Sequence, residues 1–359
     1  MDRLTPSFGI ALPAFASPGA GLFRTPGVTS PDARYCLELA QRADAAGFAS
    51  IWAPDHLMIG RDDAVFEGWT LLSAVAGTTR NARLGLIQQS NLFRHPAVLA
   101  KAAATLDAIS DGRFTLFFNY GTKQAETEAF GLDFPGGEDV RIAMAGEALE
   151  IVTTLWHSQD PLDHAGRFYK LKRARALPLP RSLPPIWFAG THPRNLDLLA
   201  RFGSGWCTPP ASLAELSERL ALVDAALKAH GRAQAELEIT LETQILVAES
   251  EDALRAKLAD LVALDPLGSL SGRPPVCGND LDDFLAGRSP TLPAPLADKW
   301  IVGTPEAVIA RISDYNRAGI DHFIFWFMDL PGEDSLSLFT ENIMPHFMTA
   351  RKNQRGAGS

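Results

Sequence analysis

The chain has 359 residues, 46% of them hydrophobic, which is long for a minimal domain and ample for one large core. Its net charge of −9 argues against a nucleic-acid backbone or an anionic membrane as partner, but leaves room for a local site that takes a small anion. Three scattered cysteines (Cys36, Cys207, Cys277) exclude a disulfide framework or zinc knuckle; with no signal-peptide pattern and no apolar run of membrane-spanning length, the expected compartment is a reducing cytoplasm.

A short apolar run at 8–12 opens the chain and leads into a Gly- and Pro-rich loop at 13–31. Helical spacing follows at 32–47, with Leu37, Ala40 and Ala43 on one side and Gly47 as its stop. A strand at 48–53 ends at Pro54, Asp55 and His56. A helix at 69–79 precedes the strand 84–87, whose apolar run ends in Gln88, Gln89, Ser90 and Asn91. The helix 96–109 carries Pro96 in its first turn. The strand 114–118 ends in Asn119, Tyr120 and Gly121, and a longer helix covers 139–156. A strand at 185–189 runs through Gly190, Thr191, His192 and Pro193 into a helix ending at Phe202. Strands at 204–208, 237–248 and 322–328 and helices at 213–230, 304–318 and 335–349 complete the pattern.

About eight strands alternating with helices predict a (β/α)8 TIM barrel; an open doubly wound sheet is the alternative, but would need an unusually long unbroken alternation. Segments 160–184 and 265–295 exceed what a minimal barrel needs and read as insertions in one domain over 1–350. The second is rich in Pro, Gly and Ser, with a weak helical pattern at 281–285; loops of this length act as lids or mobile excursions. Residues 351–359 read as a flexible tail. In such a barrel, chemistry sits at the carboxyl ends of the strands, so the polar residues there are the ones to examine.

Five segments, in order, carry a resemblance: GFASIWAPDH, RLGLIQQSNLFRHPAVLAKAAATLDAISDGRF, EAFGLDFP, PPIWFAGTHPRNLDLLARFGSGW and VGTPEAVIARISDYNRAGIDHFIF. Together they resemble the bacterial-luciferase-like superfamily over roughly residues 8–210 and 300–348. The resemblance implies a (β/α)8 barrel with insertions that binds either reduced FMN, delivered by a separate flavin reductase, or the deazaflavin F420. It also implies a homodimer formed through barrel helices. At Asp55 and His56 it implies an acid–His pair, with His56 as the acid/base residue. It implies a non-proline cis peptide near Ile87–Gln88, and the cofactor phosphate at Gly190, Thr191, His192, Arg194 and Asn195.

The residue chemistry is compatible with these roles. Gln88, Gln89 and Ser90 can hydrogen-bond the alternating donors and acceptors of a pyrimidine edge, and Asn119 and Tyr120 are further pocket candidates. Free N–H groups and the dipole at the helix entry 190–195 make an anion site. Two departures stand out. Luciferase has a phosphate-binding arginine at the place of Tyr120, and the F420-dependent sugar-phosphate dehydrogenases have a proton-donating glutamate at the place of Thr122. Structural readings stand beside the functional ones: Asp55 and His95 as caps, Phe117 and Phe118 as core, His322 and His346 as supports, and Cys207 as an inert buried thiol. With no metal-ligand spacing, P-loop or nucleophile elbow, no metal site is expected. Phe15, Phe23, Trp52, Phe66, Trp69 and Phe93 fall near predicted rim loops and could keep the site dry.

The first reading is therefore a monooxygenase using reduced FMN and O2 on a small organic substrate. The alternatives are an F420-dependent oxidoreductase transferring hydride, and a flavin-binding protein or partner subunit without turnover, the last prompted by the unusual FFNYG segment.

Overall fold

The structure, a computed structural model, describes residues 5–270 and 272–348. Eight strands form its centre: β1 (Ser7–Ala11), β2 (Ser50–Pro54), β3 (Arg83–Ile87), β4 (Phe114–Asn119), β5 (Ile186–Ala189), β6 (Gly205–Thr208), β7 (Glu238–Val247) and β8 (His322–Phe327). Each pairs in parallel with the next, and β8 returns to β1 with His322 opposite Ser7 and Phe325 opposite Ile10. The eight strands close a ring, so the doubly wound alternative falls away; a further short strand, Ile301–Gly303, pairs with β7 outside the ring.

Strands buried on both faces need apolar residues on both, and β8, HFIFWF, is buried throughout. Its outward Phe323, Phe325 and Phe327 join the core beneath the helices, while Ile324 and Trp326 point inward. Trp52, Phe117, Trp187 and Cys207 join them inside the ring. A side chain at Gly85 would collide with the Trp52 ring, and one at Gly205 with Trp187, so both strand glycines make room for inward indoles. The result is a packed plug.

The floor of the plug, at the strands' amino ends, is polar but closed. His322 Nδ1 lies 2.7 Å from Ser7 Oγ and its Nε2 lies 2.7 Å from Ser50 Oγ. Ser50 Oγ also accepts from Trp52 Nε1 at 2.6 Å, and Arg83 pairs with Glu238 beside it. Burial, and after it the charge of Arg83, push the His322 imidazole down to about 3, so it is neutral in the folded protein near pH 7. The supporting role expected for His322 is what the structure shows.

Helices surround the ring: α1 (Ala33–Ala46), α2 (Gly68–Thr78), α3 (Pro96–Ser110), α4 (Gln124–Ala129), α5 (Glu138–His157), α6 (Pro193–Phe202), α7 (Leu213–Ala229), α8 (Glu251–Ala263), α9 (Gly278–Leu285), α10 (Pro305–Ala318) and α11 (Asp334–Leu338). None is long and apolar enough to cross a membrane. The helix expected at 335–349 is instead α11, a π-turn at Phe339–Ile343 and a final helical turn; Thr349 and the tail 351–359 lie outside the described residues. Helix α8 was not foreseen, although Ser250 caps it and Leu254, Leu258 and Leu261 form its buried stripe.

Both insertions have structure. Segment 160–184 contains an antiparallel hairpin, Leu162–Ala165 with Lys170–Ala174, held to α5 by Glu147, which accepts from Phe168 N at 3.0 Å and Tyr169 N at 2.9 Å. Segment 265–295 contains α9 and packs Leu281 and Phe284 with Leu254, Leu258 and Trp300 into a second hydrophobic cluster. Leu22, from the loop after β1, inserts into that same cluster and ties the insertion to the barrel mouth.

Candidate active site

A cavity of about 400 Å³ opens at the carboxyl ends of β2, β3 and β4. Asp55, His56, Gln88, Ser90 and Asn119, all expected from the sequence, line it together. The Ile87–Gln88 peptide at its edge is cis, as the resemblance implied.

His56 follows β2 and is half-buried. Its Nδ1 lies 2.9 Å from the Glu126 carboxylate on α4, and its Nε2 has no partner among the described residues. Glu126 also accepts from Leu57 N at 2.8 Å and Met58 N at 3.1 Å, so one carboxylate fixes the loop and the ring together. Burial pushes the Glu126 carboxyl up, but these hydrogen bonds outweigh burial and hold it below its usual range. An ionised Glu126 can only accept, which places the proton on Nδ1 and leaves Nε2 as a base facing the cavity.

The acid–His pair expected at 55–56 is thereby corrected: the acid that holds His56 is Glu126, 70 residues away in sequence. Asp55 turns the other way. It is buried, accepts from Ser90 N at 2.9 Å and meets Arg94 Nη1 at 3.0 Å. Burial raises the Asp55 carboxyl against the pull of Arg94. Its function is to join the ends of β2 and β3, holding Gln88 to Ser90 against the cavity.

Gln88 and Asn119 form an amide pair, with Asn119 Nδ2 donating to Gln88 Oε1 at 2.6 Å and Asn119 Oδ1 accepting from Gly121 N at 2.7 Å. Gln88 Nε2 is left as a donor without a partner among the described residues. Ile59, Ile87, Phe23 and Phe93 supply apolar surface. Of the six aromatics expected near the rim, only Phe23 and Phe93 line this cavity; Phe15 and Trp52 pack inside the ring, and Trp69 and Phe66 pack on or against the outer core.

Other candidates lie elsewhere. Gln89 is buried with its Nε2 on Ser90 O at 2.6 Å, because successive residues on an extended strand face opposite ways. Tyr120 packs against the outer core and donates its hydroxyl to Glu138. Gly190, Thr191, His192, Arg194 and Asn195 are outside the cavity lining. His192 caps α6 through Arg194 N at 3.3 Å, and Asn195 Nδ2 donates to Ala189 O at 2.7 Å. The Asp139 carboxylate, 3.6 Å from His192 and 3.3 Å from Arg194, already stands before this helix entry. Phe117 plugs the ring and Phe118 joins the outer core, while Cys207 is buried and its thiol is pushed well above its usual range by burial.

The sequence reading missed Glu126, Arg94, Arg24 and Arg273. Arg94 lies inside a segment that carried the resemblance, but the other three have no local pattern that marks them. Arg24 pairs with Glu242 at 2.7 Å, and Glu242 accepts from Trp326 Nε1 at 2.9 Å. Leu22 and Arg24 both adopt left-handed backbone, φ 42° and 52°. Such conformations cost roughly 1–2 kcal/mol each. Burial of Leu22 offsets this by about 2 kcal/mol, and the Arg24–Glu242 pair adds to it. The turn places Leu22 in the cluster formed with the 265–295 insertion and Arg24 at the mouth. Among the described residues, no group of three or more His, Cys, Asp or Glu side chains is placed to hold a metal.

The profile of the luciferase-like monooxygenase family matches residues 8–322. An F420-dependent glucose-6-phosphate dehydrogenase of Amycolatopsis mediterranei is 28% identical over 322 residues, covering 87% of this chain and 94% of that protein. An F420-dependent hydroxymycolic acid dehydrogenase of Mycobacterium tuberculosis is 28% identical over 311 residues, covering 85% of this chain and 82% of that one. Among solved structures, a monooxygenase of Streptomyces bottropensis matches with a TM-score of 0.71 and 25% identity, over 95% of this chain and 99% of that one. With its closed ring and the polar mouth around His56, the chain belongs to the luciferase-like monooxygenase family of oxidoreductases.

Proposed function

We propose that this protein is an F420-dependent oxidoreductase that takes a hydride and a proton from a small alcohol at the barrel mouth. The observation that carries this reading is one cavity holding a clamped histidine with a free nitrogen beside a partnerless amide donor, Gln88 Nε2. F420 is placed ahead of FMN because both dehydrogenase relatives described above are named for it.

The residues fit a deazaflavin ring: Gln88, Ser90 and Asn119 offer polar contacts to its pyrimidine edge, beside apolar Ile59, Ile87 and Phe93. F420, when bound, supplies the two-electron acceptor. His56 Nε2 accepts the hydroxyl proton of the substrate, and Glu126 stabilises the imidazolium this produces. Phe23 and Phe93 keep water from the reacting atoms. Asp55 and Arg94 hold the wall that meets the ring. The cofactor's anionic tail is assigned to Gly190, Thr191, His192, Arg194 and Asn195, where it would displace the exposed Asp139 carboxylate from the α6 entry.

Residue 122 is threonine, and the carboxylate that this rim segment brings to the cavity is Glu126. The second reading, oxygenation with reduced FMN from a partner reductase, is favoured by the 25% identity to a monooxygenase. In the segment that prompted a non-catalytic reading, Phe117 and Phe118 are core packing while Asn119 lines the cavity, so its bulk does not close the site. We place the protein in the cytoplasm, acting on a small organic molecule, as a homodimer.

The test is to mix the protein anaerobically with oxidised F420 and a panel of alcohols, and separately with reduced FMN and O2. Bleaching of the deazaflavin by an alcohol, absent in His56→Ala, supports the proposal. Oxygenated product in the FMN arm alone would replace it with the second reading.

A further inference from the structure

Three cations line the mouth. Arg24, Lys123 and Arg273 all line the cavity that holds His56. The two carboxylates that line the cavity are committed, Asp55 to Arg94 and Glu126 to His56, and Glu242 is committed to Arg24. Lys123 and Arg273 have no carboxylate partner among the described residues, in a chain whose net charge is −9. The Arg273 guanidinium lies 3.4 Å from the centroid of the Phe23 ring, and that of Arg24 lies 5.0 Å from the same centroid. Desolvation, and after it the like charge of Arg24, lower the Arg273 guanidinium from its usual range. Two like charges brought to one ring, with a lysine lining the same cavity, are an arrangement an anion would relieve.

Arg273 is delivered by the 265–295 insertion, and the insertion is fixed where it crosses the mouth. Ala20 N donates to Asp265 O at 3.1 Å and Val276 N donates to Ala20 O at 2.8 Å. Gly19 has φ +91°, and a side chain there would collide with Asp265. The insertion is therefore docked against the β1 loop, with its arginine over the opening.

We propose that Arg273, with Arg24 and Lys123, holds a carboxylate or phosphate carried by the substrate, so that the substrate class is a small alcohol bearing an anionic group. This rests on the mouth being the reaction site. An anion could also come from the tail of F420, but β1 and β5 are four strands apart in an eight-strand ring, so the loop carrying Arg24 stands opposite the α6 entry assigned to that tail. Arg273 is thus a specificity residue supplied by the insertion, and the bound anion would fix the substrate's orientation toward His56 Nε2.

The experiment titrates the full chain with inorganic phosphate and with acetate by calorimetry, and with F420 and its tail-less deazaflavin chromophore by fluorescence. Wild type is expected to bind phosphate, Arg273→Ala to bind it at least tenfold more weakly, and Arg273→Lys to recover part of the loss. F420 and the tail-less chromophore should bind both proteins equally. Phosphate and acetate affinities that Arg273→Ala leaves unchanged, or no binding of either anion by wild type, would overturn the proposal. So would a loss in Arg273→Ala that affects F420 but spares the tail-less chromophore, because the anion would then be the cofactor's. Arg273-dependent phosphate binding in a protein that takes up no F420 would uphold the anion site and remove the cofactor reading instead.

Discussion

His56 and His322 lie at opposite ends of the same ring and are partnered in opposite ways. His322, at the floor, has both nitrogens engaged by serine hydroxyls and is fully buried. His56, at the mouth, has one nitrogen fixed by Glu126 and the other open to a cavity. A histidine with both nitrogens satisfied can only support the fold, whereas one that is fixed on one side and open on the other can exchange a proton with a ligand. The same contrast separates two arginines: Arg83 and Glu238 complete each other below, while Arg273 lines the mouth without a carboxylate partner among the described residues.

If the contrast is functional, the two histidines should fail differently when replaced. His56→Ala is expected to lower kcat/KM by roughly 10²–10⁴ with little change in the melting temperature, the range usual for losing a general base. An unchanged rate would remove the catalytic role. His322→Ala should do the reverse, costing about 3 kcal/mol of stability through an internal void and two serine hydroxyls that each lose a partner, with activity per folded molecule retained. Urea melts and active-site titration together would separate these outcomes.

A pH series sharpens the comparison. The unfolded chain protonates His322 near 6.5, but the folded chain does so only near 3. Between those values the unfolded state carries the extra proton, so stability is greatest above 6.5 and falls as pH drops toward 3, by up to ~1.4 kcal/mol per unit. Acidic groups also titrate in the lower part of this window, so the diagnostic quantity is the difference from His322→Gln, which should fall less steeply. Parallel curves for the two proteins would refute the assignment. The smallest effect is expected from Glu126→Gln, which keeps the loop bonds but removes the charge behind His56. A roughly ten- to hundredfold loss in kcat with KM nearly constant would mark its orienting role. A loss confined to KM would count against it.

The fold was largely readable because parallel barrel strands leave a simple mark, apolar runs capped by polar residues, and β3 and β4 show it plainly. His56, Gln88, Ser90 and Asn119 were readable for the same reason, being attached to strand ends that the pattern locates. Glu126, Arg24 and Arg273 were not, since Glu126 sits on a short helix that the sequence pattern did not mark and the two arginines reach the mouth from loops that no local periodicity encodes. Gln89 and Tyr120 misled because adjacent residues at a strand end face opposite sides, and sequence alone does not say which of them turns inward. At α6 the anion-site pattern was present, but the Asp139 carboxylate before it comes from another helix. Leu22 shows the same limit, because a single residue in a Pro- and Gly-rich loop ties the insertion to the barrel.

The most direct measurement is a crystal structure of the protein soaked with F420. The deazaflavin ring is expected in the mouth, with its pyrimidine edge on Gln88 and Asn119 and its reacting face toward His56. Ordered F420 bound elsewhere, with side chains closing the space between His56 and Gln88, would contradict the assignment of the mouth as the site of reaction.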